Sequence, residues 1–283
     1  MSELQETPDL GINKEIQIHS LADVSSKAEI GSGVTIGSGT VIGPDVQIGA
    51  NTIVGANVVL QGRLKIGCNN KIFPGACLGL EPQDLKYKGA ATEVVIGDRN
   101  TIREFVTINR ATNYGEQTKV GDNNLLMAYC HIAHNCDVGN GVVMSNSVQV
   151  AGHVLIEDNA VIGGCAAIHQ FVYIGSLSMI GGMTKVERDV PPFCLVEGNP
   201  GRVRSLNIVG IRRSGMERRN NKEFKQLQDI WKLLYRSEYV LEEGIRRARE
   251  NPLEPSPEHL CNFLEDSFQQ SRRGPIPIET RKK

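Results

Sequence analysis

The most regular feature of the chain is an apolar residue at every sixth position. Of the 29 positions divisible by six between Ile18 and Val186, 26 carry Ile, Val, Leu or Met. The hexads at 30–35 and 36–41 show the pattern, with a glycine directly after each leading isoleucine. A fixed short period is typical of a solenoid, in which stacked coils repeat one structural unit. The pattern therefore predicts a repetitive β architecture.

A second column of small residues lies four positions after each apolar one. From Thr118 to Val190 its thirteen members are Thr, Asn, Cys, Ala, Ser or Val, and none is charged. Two inward positions per hexad define one wall of a coil, and the Gly, Asn, Asp and Ser residues beside them suit tight corners. This arrangement resembles hexapeptide-repeat proteins, and the resemblance implies a left-handed parallel β-helix with three hexads per coil. Stacked coils would lie about 4.8 Å apart.

Two segments interrupt the repeat without shifting its frame. Residues 79–95 contain the string EPQDLKYKG, and residues 110–119 follow shortly afterwards. Both are expected to be loops extruded from corners of the solenoid, and loops on a rigid scaffold commonly carry binding residues. A tolerated surface insertion is the alternative for each. The three exceptions in the apolar column fall inside these segments: Asp84, Ala90 and Tyr114.

A helical periodicity replaces the hexads after residues 189–192. The paired prolines there lack the backbone N–H groups that hydrogen bonding between stacked strands needs, so they predict the end of the solenoid. Ser256 and Pro257 are the expected N-cap and first residue of the last helix. Three apolar helical stripes are predicted, containing Leu227, Ile230, Trp231, Leu234 and Tyr235, then Leu241, Ile245 and Ala248, then Leu260, Phe263, Leu264 and Phe268. The predicted units are an N-terminal extension at 1–17, a β-helix at 18–195 and a helical domain at 196–283.

Charge is distributed unevenly along the chain. In total, 31 Lys and Arg residues and 32 Asp and Glu residues give a formal net charge of −1, which does not favour nucleic-acid binding. From Arg202 onward, however, 18 basic and 12 acidic residues give a net charge of +6. The C-terminal part is therefore the place where an acidic partner is expected to bind.

Neither secretion nor membrane insertion is predicted. The segment 1–17 lacks an apolar core, and no window of the chain approaches the uninterrupted apolar run that a membrane-spanning helix needs. The seven cysteines have no paired spacing, and Cys130, Cys136 and Cys165 lie in apolar contexts that suit reduced thiols. We therefore expect a cytoplasmic protein.

The histidines are clustered, and none of the cluster occupies an inward column. Four of the six lie close together in the sequence: His131, His134, His153 and His169. His153 follows His134 by one coil plus one residue, so we expect stacked neighbours on one edge. A neutral imidazole there could take a proton from an attacking hydroxyl, whereas three imidazoles could hold a zinc ion. We favour the base, because HxxH on a β-corner specifies no metal geometry.

Several longer strings point to a family. A bare hexapeptide repeat is shared by acetyltransferases, nucleotidyltransferases and carbonic anhydrases, so the strings carry the resemblance. They are QDLKYKG (83–89), IGDRNTIREFVTINR (96–110), NLLMAYCHIAHNCDVGN (124–140), AGHV (151–154), HQF (169–171), DVPPF (189–193) and LNIVGIRRSG (206–215). Together they closely resemble the acyl-ACP–UDP-N-acetylglucosamine O-acyltransferases of lipid A synthesis.

The resemblance implies a cytoplasmic homotrimer whose active sites lie between neighbouring β-helices. It implies transfer of an acyl group, usually 3-hydroxylated, from acyl carrier protein to the 3-hydroxyl of UDP-N-acetylglucosamine. We expect no metal and no organic cofactor. His134 matches the general base and Gly152 the oxyanion position. The remaining matches are substrate contacts, namely Asp84, Lys86, His131, His153, His169 and Gln170, and a nucleotide-phosphate end formed by Asn207, Arg212 and Arg213.

The chain departs from the commonest family pattern at three places. Asn109 stands where many relatives carry histidine, Val209 stands where an acidic residue is frequent, and the segment 1–17 precedes the usual start. Other functions stay open at this point. The related N-acyltransferase would be expected to carry an extra N-terminal domain, and a zinc carbonic anhydrase or a catalytically silent trimeric scaffold could share the fold.

Overall fold

The structure, a computed structural model, describes residues 15–269 and 271–278, and the greater part of the predicted N-terminal extension lies outside the described residues. The repeat forms a series of short strands. In chain order these are β1 (Gln17–Ile18), β2 (Asp23–Val24), β3 (Glu29–Ile30), β4 (Thr35–Ile36), β5 (Val41–Ile42), β6 (Val46–Ile48), β7 (Ile53–Val54), β8 (Val59–Leu60), β9 (Arg63–Ile66), β10 (Lys71–Ile72), β11 (Cys77–Leu80), β12 (Glu93–Ile96), β13 (Thr101–Ile102) and β14 (Thr107–Asn109). They continue as β15 (Gln117–Val120), β16 (Leu125–Leu126), β17 (His131–Ile132), β18 (Asp137–Val138), β19 (Val143–Met144), β20 (Gln149–Val150), β21 (Leu155–Ile156), β22 (Val161–Ile162), β23 (Ala167–Ile168), β24 (Tyr173–Ile174), β25 (Met179–Ile180), β26 (Lys185–Val186), β27 (Cys194–Glu197) and β28 (Arg202–Leu206).

Every third strand joins the same sheet, so the coils build three walls. The first sheet runs from β1 through β4 and β7 to β25, β27 and β28, the second from β2 to β26, and the third from β3 to β24. Neighbouring strands of a sheet pair in parallel one coil apart, as Ile36 does with Val54, and only β28 pairs antiparallel among the described strands. The parallel β-helix followed by helices is thereby confirmed. Its left-handed sense stays a prediction.

The interior of the β-helix consists of the two columns read from the sequence. Leu78, Ile108 and Ile132 of the six-residue column are fully buried, as is Cys130 of the small-residue column. Cys165 was expected among such buried positions but is exposed. It lies at a corner with a left-handed φ of 57°, outside both inward columns, which explains why it escapes burial.

The first sheet continues a few residues past the predicted end at the prolines. Pro191 and Pro192 lie in a corner between sheets, where no ladder donor is needed, and the chain then adds β27 to the first sheet. The antiparallel strand β28 follows it. The predicted boundary between residues 195 and 196 thus falls inside β27, and the division into three units stays a prediction.

Five helices follow within the described residues: α1 (Ile208–Arg213), α2 (Met216–Arg219), α3 (Asn221–Arg236), α4 (Leu241–Ala248) and α5 (Pro255–Ser267). The three predicted apolar stripes fall on α3, α4 and α5, although Phe268 caps α5 and is exposed. Ser256 lies inside α5 and Glu254 is its N-cap, so the predicted cap is wrong. The α1 and α2 helices were not predicted because they are too short to show a periodicity. None of the helices in the described chain is long and apolar enough to cross a bilayer.

The helices are tied to the end of the β-helix by two carboxylates, the buried Asp189 and the half-buried Glu157. Asp189 is fully buried, and its oxygens accept hydrogen bonds from the Tyr173 backbone (2.8 Å), Ser267 Oγ (2.7 Å) and Arg272 Nε (3.2 Å). His259 of α5 lies 2.8 Å from Glu157 of the β-helix. These contacts join both parts of the chain.

Candidate active site

Both interruptions of the repeat leave the β-helix at the same edge. The segment between β11 and β12 and the segment between β14 and β15 each connect the second sheet to the third. The strand pairing shows both insertions, because Leu64 pairs with Val94 and Val94 pairs with Thr118. Each of these pairs is separated by more residues than one regular coil contains. We call residues 81–92 the first loop and residues 110–116 the second loop. Both therefore project beside the same edge of the solenoid.

The corner residues of the following coils bring the histidine cluster to that edge. His134 lies between β17 and β18, and His153 lies one coil further on, between β20 and β21. Their ring centroids are 5.2 Å apart in an edge-to-face arrangement. The structure thus places the two rings next to each other and beside both loops.

The second loop and the following corner surround one nitrogen of His134. The Nδ1 atom lies 2.9 Å from Asn135 Oδ1 and 3.0 Å from Thr112 Oγ1. Thr112 is buried, and the His134 side chain is only 15 % exposed. The ring is therefore held by two polar groups rather than free to rotate in solvent.

These contacts define which ring nitrogen carries the proton. Asn135 Oδ1 also accepts the backbone N–H of Thr112 at 3.1 Å, so the oxygen of that amide faces the ring. The Thr112 hydroxyl donates its one proton to Asp84 Oδ2 at 3.1 Å. Because both neighbours of Nδ1 are acceptors, Nδ1 of the neutral ring is the protonated nitrogen. The lone pair therefore lies on Nε2, where a base needs it.

Asp84 of the first loop lies near that nitrogen. Its Oδ2 atom lies 3.9 Å from His134 Nε2, and its Oδ1 atom accepts the Lys86 backbone N–H at 2.9 Å. The Lys86 hydrogen bond, with a smaller contribution from Thr112, outweighs desolvation and lowers the pKa of Asp84. The group is therefore a carboxylate at neutral pH and can accept a hydroxyl hydrogen bond from a bound ligand.

Gly152 lies against the same ring nitrogen. A Cβ at this residue would stand 2.6 Å from Nε2 and 2.5 Å from Cε1 of His134, closer than such atoms can approach. Any side chain here would occupy the space in front of the base. Gly152 is buried, and none of the described residues accepts a hydrogen bond from its backbone N–H.

The remaining histidines of the cluster differ in their surroundings. Burial lowers the pKa of His131 and of His153, and the neighbouring His134 lowers both further, so both rings are neutral at neutral pH. His131 Nδ1 is 2.7 Å from Thr107 Oγ1, and His153 stacks on Phe171.

His169 lies between β23 and β24, one coil beyond His153, and its Nδ1 is 3.0 Å from the Gln170 carbonyl oxygen. Lys86 and Gln170 are exposed.

The predicted nucleotide residues lie elsewhere on the chain. Asn207, Arg213 and Val209 line a cavity of about 590 Å³ between α1 and the outer face of the first sheet. Asn207 is also the N-cap of α1 and donates to the Leu177 carbonyl oxygen at 2.8 Å. Arg212 does not line this cavity, and its Nε is 2.9 Å from Glu217. The wall with this cavity is the one across the solenoid from the His134 edge.

Sequence reasoning missed the residues that hold the loops in place. Arg110 donates to the Gly79 carbonyl oxygen (3.0 Å) and to the Tyr87 hydroxyl (2.8 Å), which pins the first loop to the end of β14. Asn109, already noted in the sequence where many relatives carry histidine, donates to the Glu81 carbonyl oxygen at 2.9 Å. Thr112 and Asn135 carried no spacing signal, although Asn135 directly follows His134.

Metal-ligating side chains do not converge at this edge. Among residues 15–269 and 271–278, no three or more His, Cys, Asp or Glu side chains are arranged to hold a metal ion. What the edge does assemble, within the part of the chain that the structure describes, is the His134 imidazole, the Asp84 carboxylate and the unpaired Gly152 backbone N–H, which lie close together. Those are the parts that base-assisted acyl transfer requires.

Comparison with known families matches both parts of the chain. The family described as Udp N-acetylglucosamine O-acyltransferase, Domain 2, matches residues 189–276. The family described as bacterial transferase hexapeptide (six repeats) matches residues 27–62 and 117–152. The first match covers β27, β28 and all five helices described above, and the second covers part of the β-helix.

Relatives of known activity span most of the chain. An acyl-[acyl-carrier-protein]–UDP-N-acetylglucosamine O-acyltransferase of Synechocystis is 51 % identical over 77 % of this chain and 79 % of its own length. A protein of the same name from Helicobacter pylori is 43 % identical over 73 % of this chain and 76 % of its own length. Among solved structures, LpxA from Acinetobacter baumannii has a TM-score of 0.84 and 42 % identity, covering 92 % of this chain and 99 % of that one.

Proposed function

Because the chain belongs to the family of acyl-[acyl-carrier-protein]–UDP-N-acetylglucosamine O-acyltransferases, we propose that it transfers an acyl chain to the sugar 3-hydroxyl with His134 as general base. The donor in this proposal is acyl carrier protein and the acceptor is UDP-N-acetylglucosamine. The reaction is the first step of lipid A synthesis and takes place in the cytoplasm. The observation that supports the base most strongly is the position of His134 Nε2, which lies 3.9 Å from Asp84 Oδ2 and directly beside Gly152.

The reaction begins with a proton transfer to His134. Nε2 takes the proton of the 3-hydroxyl as the sugar oxygen attacks the thioester carbonyl carbon. The C–O bond forms, and the carbonyl π electrons move to the oxygen, which becomes an oxyanion. The Gly152 backbone N–H stabilises this oxyanion, since the absent side chain leaves space for it. When the C–S bond breaks, the imidazolium returns its proton to the carrier thiolate, which leaves as a thiol.

The surrounding side chains hold the acceptor sugar in this proposal. Asp84 accepts a hydrogen bond from a sugar hydroxyl, and Lys86 stands two residues further along the same loop. The neutral rings of His131 and His153 provide uncharged polar contacts. His169 and Gln170 extend the same edge by another coil. A substrate lying along the edge would therefore contact several coils at once.

The nucleotide end of the proposed site comes from a second copy of the chain. The cavity with Asn207 and Arg213 lies on the first sheet, whereas His134 lies at the edge between the other two sheets. The two sites are therefore on opposite sides of a single chain, and one substrate cannot contact both of them there. A homotrimer places one copy's first sheet against another copy's catalytic edge. Arg213, with Arg212 beside it, would then bind the diphosphate by charge-assisted hydrogen bonds. The basic C-terminal part would attract the acidic carrier protein.

Product analysis tests this function. The purified protein is incubated with a mixed pool of acyl carrier thioesters and UDP-N-acetylglucosamine, and the products are analysed by mass spectrometry. We expect one acyl chain on the acceptor, attached at the 3-oxygen, and free carrier thiol in equal amount. A pool without UDP-N-acetylglucosamine serves as the control for thioester hydrolysis. If thiol is released equally with and without the acceptor, or no acylated sugar forms, the proposal is wrong.

A further inference from the structure

The amide of Asn135 is held at both of its ends. Its Oδ1 atom accepts from the Thr112 backbone N–H and faces His134 Nδ1, as described above. Its Nδ2 atom donates to Glu116 Oε2 at 2.6 Å. Glu116 is the last residue of the second loop and has no place in the reaction proposed above. Its hydrogen-bonded connection to His134 runs through the Asn135 amide, and its charge also acts on the neighbouring His153 ring.

A reversed amide would change the proton position on the base. If Asn135 turned by half a rotation, its NH₂ group would face His134 Nδ1, and that nitrogen would have to become an acceptor. The proton of the neutral ring would then move to Nε2, and the lone pair would leave the substrate side. A carboxylate beside Nδ2 opposes this rotation because it can only accept hydrogen bonds.

We propose that Glu116 is a positioning residue that fixes the orientation of the Asn135 amide and thereby keeps the lone pair of His134 on Nε2. The inference rests on the proposed function of His134. It assigns a role to a carboxylate that acts through an intervening amide rather than by direct contact with the imidazole.

Glu116 is suited to this role by its charge and its fixed position. Burial raises the pKa of Glu116, but hydrogen bonds from Asn135 and Asn113 outweigh burial and lower it overall, so the side chain is ionised at neutral pH. The Asn113 backbone N–H donates to Oε2 at 3.0 Å, and the Asn113 side chain donates to both carboxylate oxygens at 3.1 Å. The carboxylate is therefore oriented before it meets the Asn135 amide.

The kinetic test uses Glu116→Gln, which keeps the size of the side chain but lets its amide face Asn135 in either sense. We expect kcat to fall about tenfold with KM for UDP-N-acetylglucosamine changed less than about twofold, since a lost charged hydrogen bond is worth roughly that factor. Asn113→Ala is the matched control because it removes the other side-chain amide that binds the carboxylate, while the Asn113 backbone N–H still orients Glu116 and Asn135 Nδ2 stays paired. It is expected to retain parental kcat.

An exchange of the two polar groups provides a rescue. In the double variant Glu116→Gln, Asn135→Asp, the introduced carboxylate accepts from the ring and the introduced amide donates to that carboxylate. We expect kcat to recover most of the loss seen in Glu116→Gln. An equal loss of kcat in Asn113→Ala and Glu116→Gln would show that the carboxylate only stabilises the conformation of the second loop, which would contradict the proposal. A parental kcat in Glu116→Gln would also overturn it.

A spectroscopic test separates this inference from the proposed function. The ¹⁵N chemical shifts of histidine-labelled protein at alkaline pH report which ring nitrogen carries the proton, with no substrate present. The His134 signals are identified by their loss in His134→Ala. We expect the parent to be protonated on Nδ1 and Glu116→Gln to show a substantial fraction protonated on Nε2. An unchanged tautomer in Glu116→Gln would overturn the inference even if acyl transfer were confirmed.

Discussion

The His134→Ala variant is expected to lose about a thousandfold in kcat, because a positioned general base contributes typically 10²- to 10⁴-fold to a rate. The substitution removes the nitrogen that accepts the proton of the attacking hydroxyl. His153 lies beside it, but its ring is stacked on Phe171 and does not take the same place. Steady-state kinetics with acyl carrier thioester and UDP-N-acetylglucosamine measures the effect.

The loss is expected without unfolding. His134 lies at a corner outside both inward columns, so its removal leaves the buried ladder intact. His19→Ala is the matched control, since that imidazole is exposed near the start of the β-helix and far along the chain from the edge. Equal thermal stability of both variants with normal turnover only in His19→Ala would agree with the account. Ordinary turnover in folded His134→Ala protein would remove the proposed base.

The Gly152→Ala variant is expected to lower kcat by about a hundredfold, since a displacement of about 1 Å in a reacting group costs on that order. The added methyl would stand 2.5 Å from the His134 ring, so the ring has to leave its hydrogen bonds to Thr112 and Asn135. The same methyl would also cover the proposed oxyanion donor. The effect should appear in kcat more than in KM, because the displaced imidazole and the covered N–H group act in the transition state.

Gly164→Ala provides the control for backbone effects of the substitution. Gly164 occupies the same place in its hexad as Gly152, but a methyl there would lie 3.2 Å from the nearest atom, the Asn146 carbonyl oxygen. We expect that variant to fold with nearly parental activity. Similar losses of activity in the two alanine variants would show that the corner, rather than the space before His134, is responsible.

The repeat made the fold predictable because each hexad buries the same two positions. A single misread residue changes little when many coils repeat the same pattern, and the exceptions in the apolar column marked the loops directly. Asp84 was identified in this way, and it lies beside the base. The helices α1 and α2 were missed since each is too short to show a periodicity, and the end of the sheet was misplaced since Pro191 and Pro192 occupy a corner.

The contacts around the base could not be derived from the period. Thr112 reaches His134 only because the second loop folds back on the edge, and Glu116 meets Asn135 for the same reason. The hexad frame specifies where a loop leaves and re-enters the solenoid but not its path between those points. The roles of Asp84, His134 and Gly152 came from family resemblance, and geometry then added the tautomer of the ring.

A crystal structure of the protein with UDP-N-acetylglucosamine bound would show whether His134 reaches the acceptor hydroxyl. We expect the oxygen of the sugar 3-hydroxyl within about 3 Å of His134 Nε2, the reach of a general base. We also expect the diphosphate beside Arg213 of a second copy of the chain. A complex in which the 3-hydroxyl lies away from Nε2, with that nitrogen facing neither the sugar nor a neighbouring copy, would contradict the account.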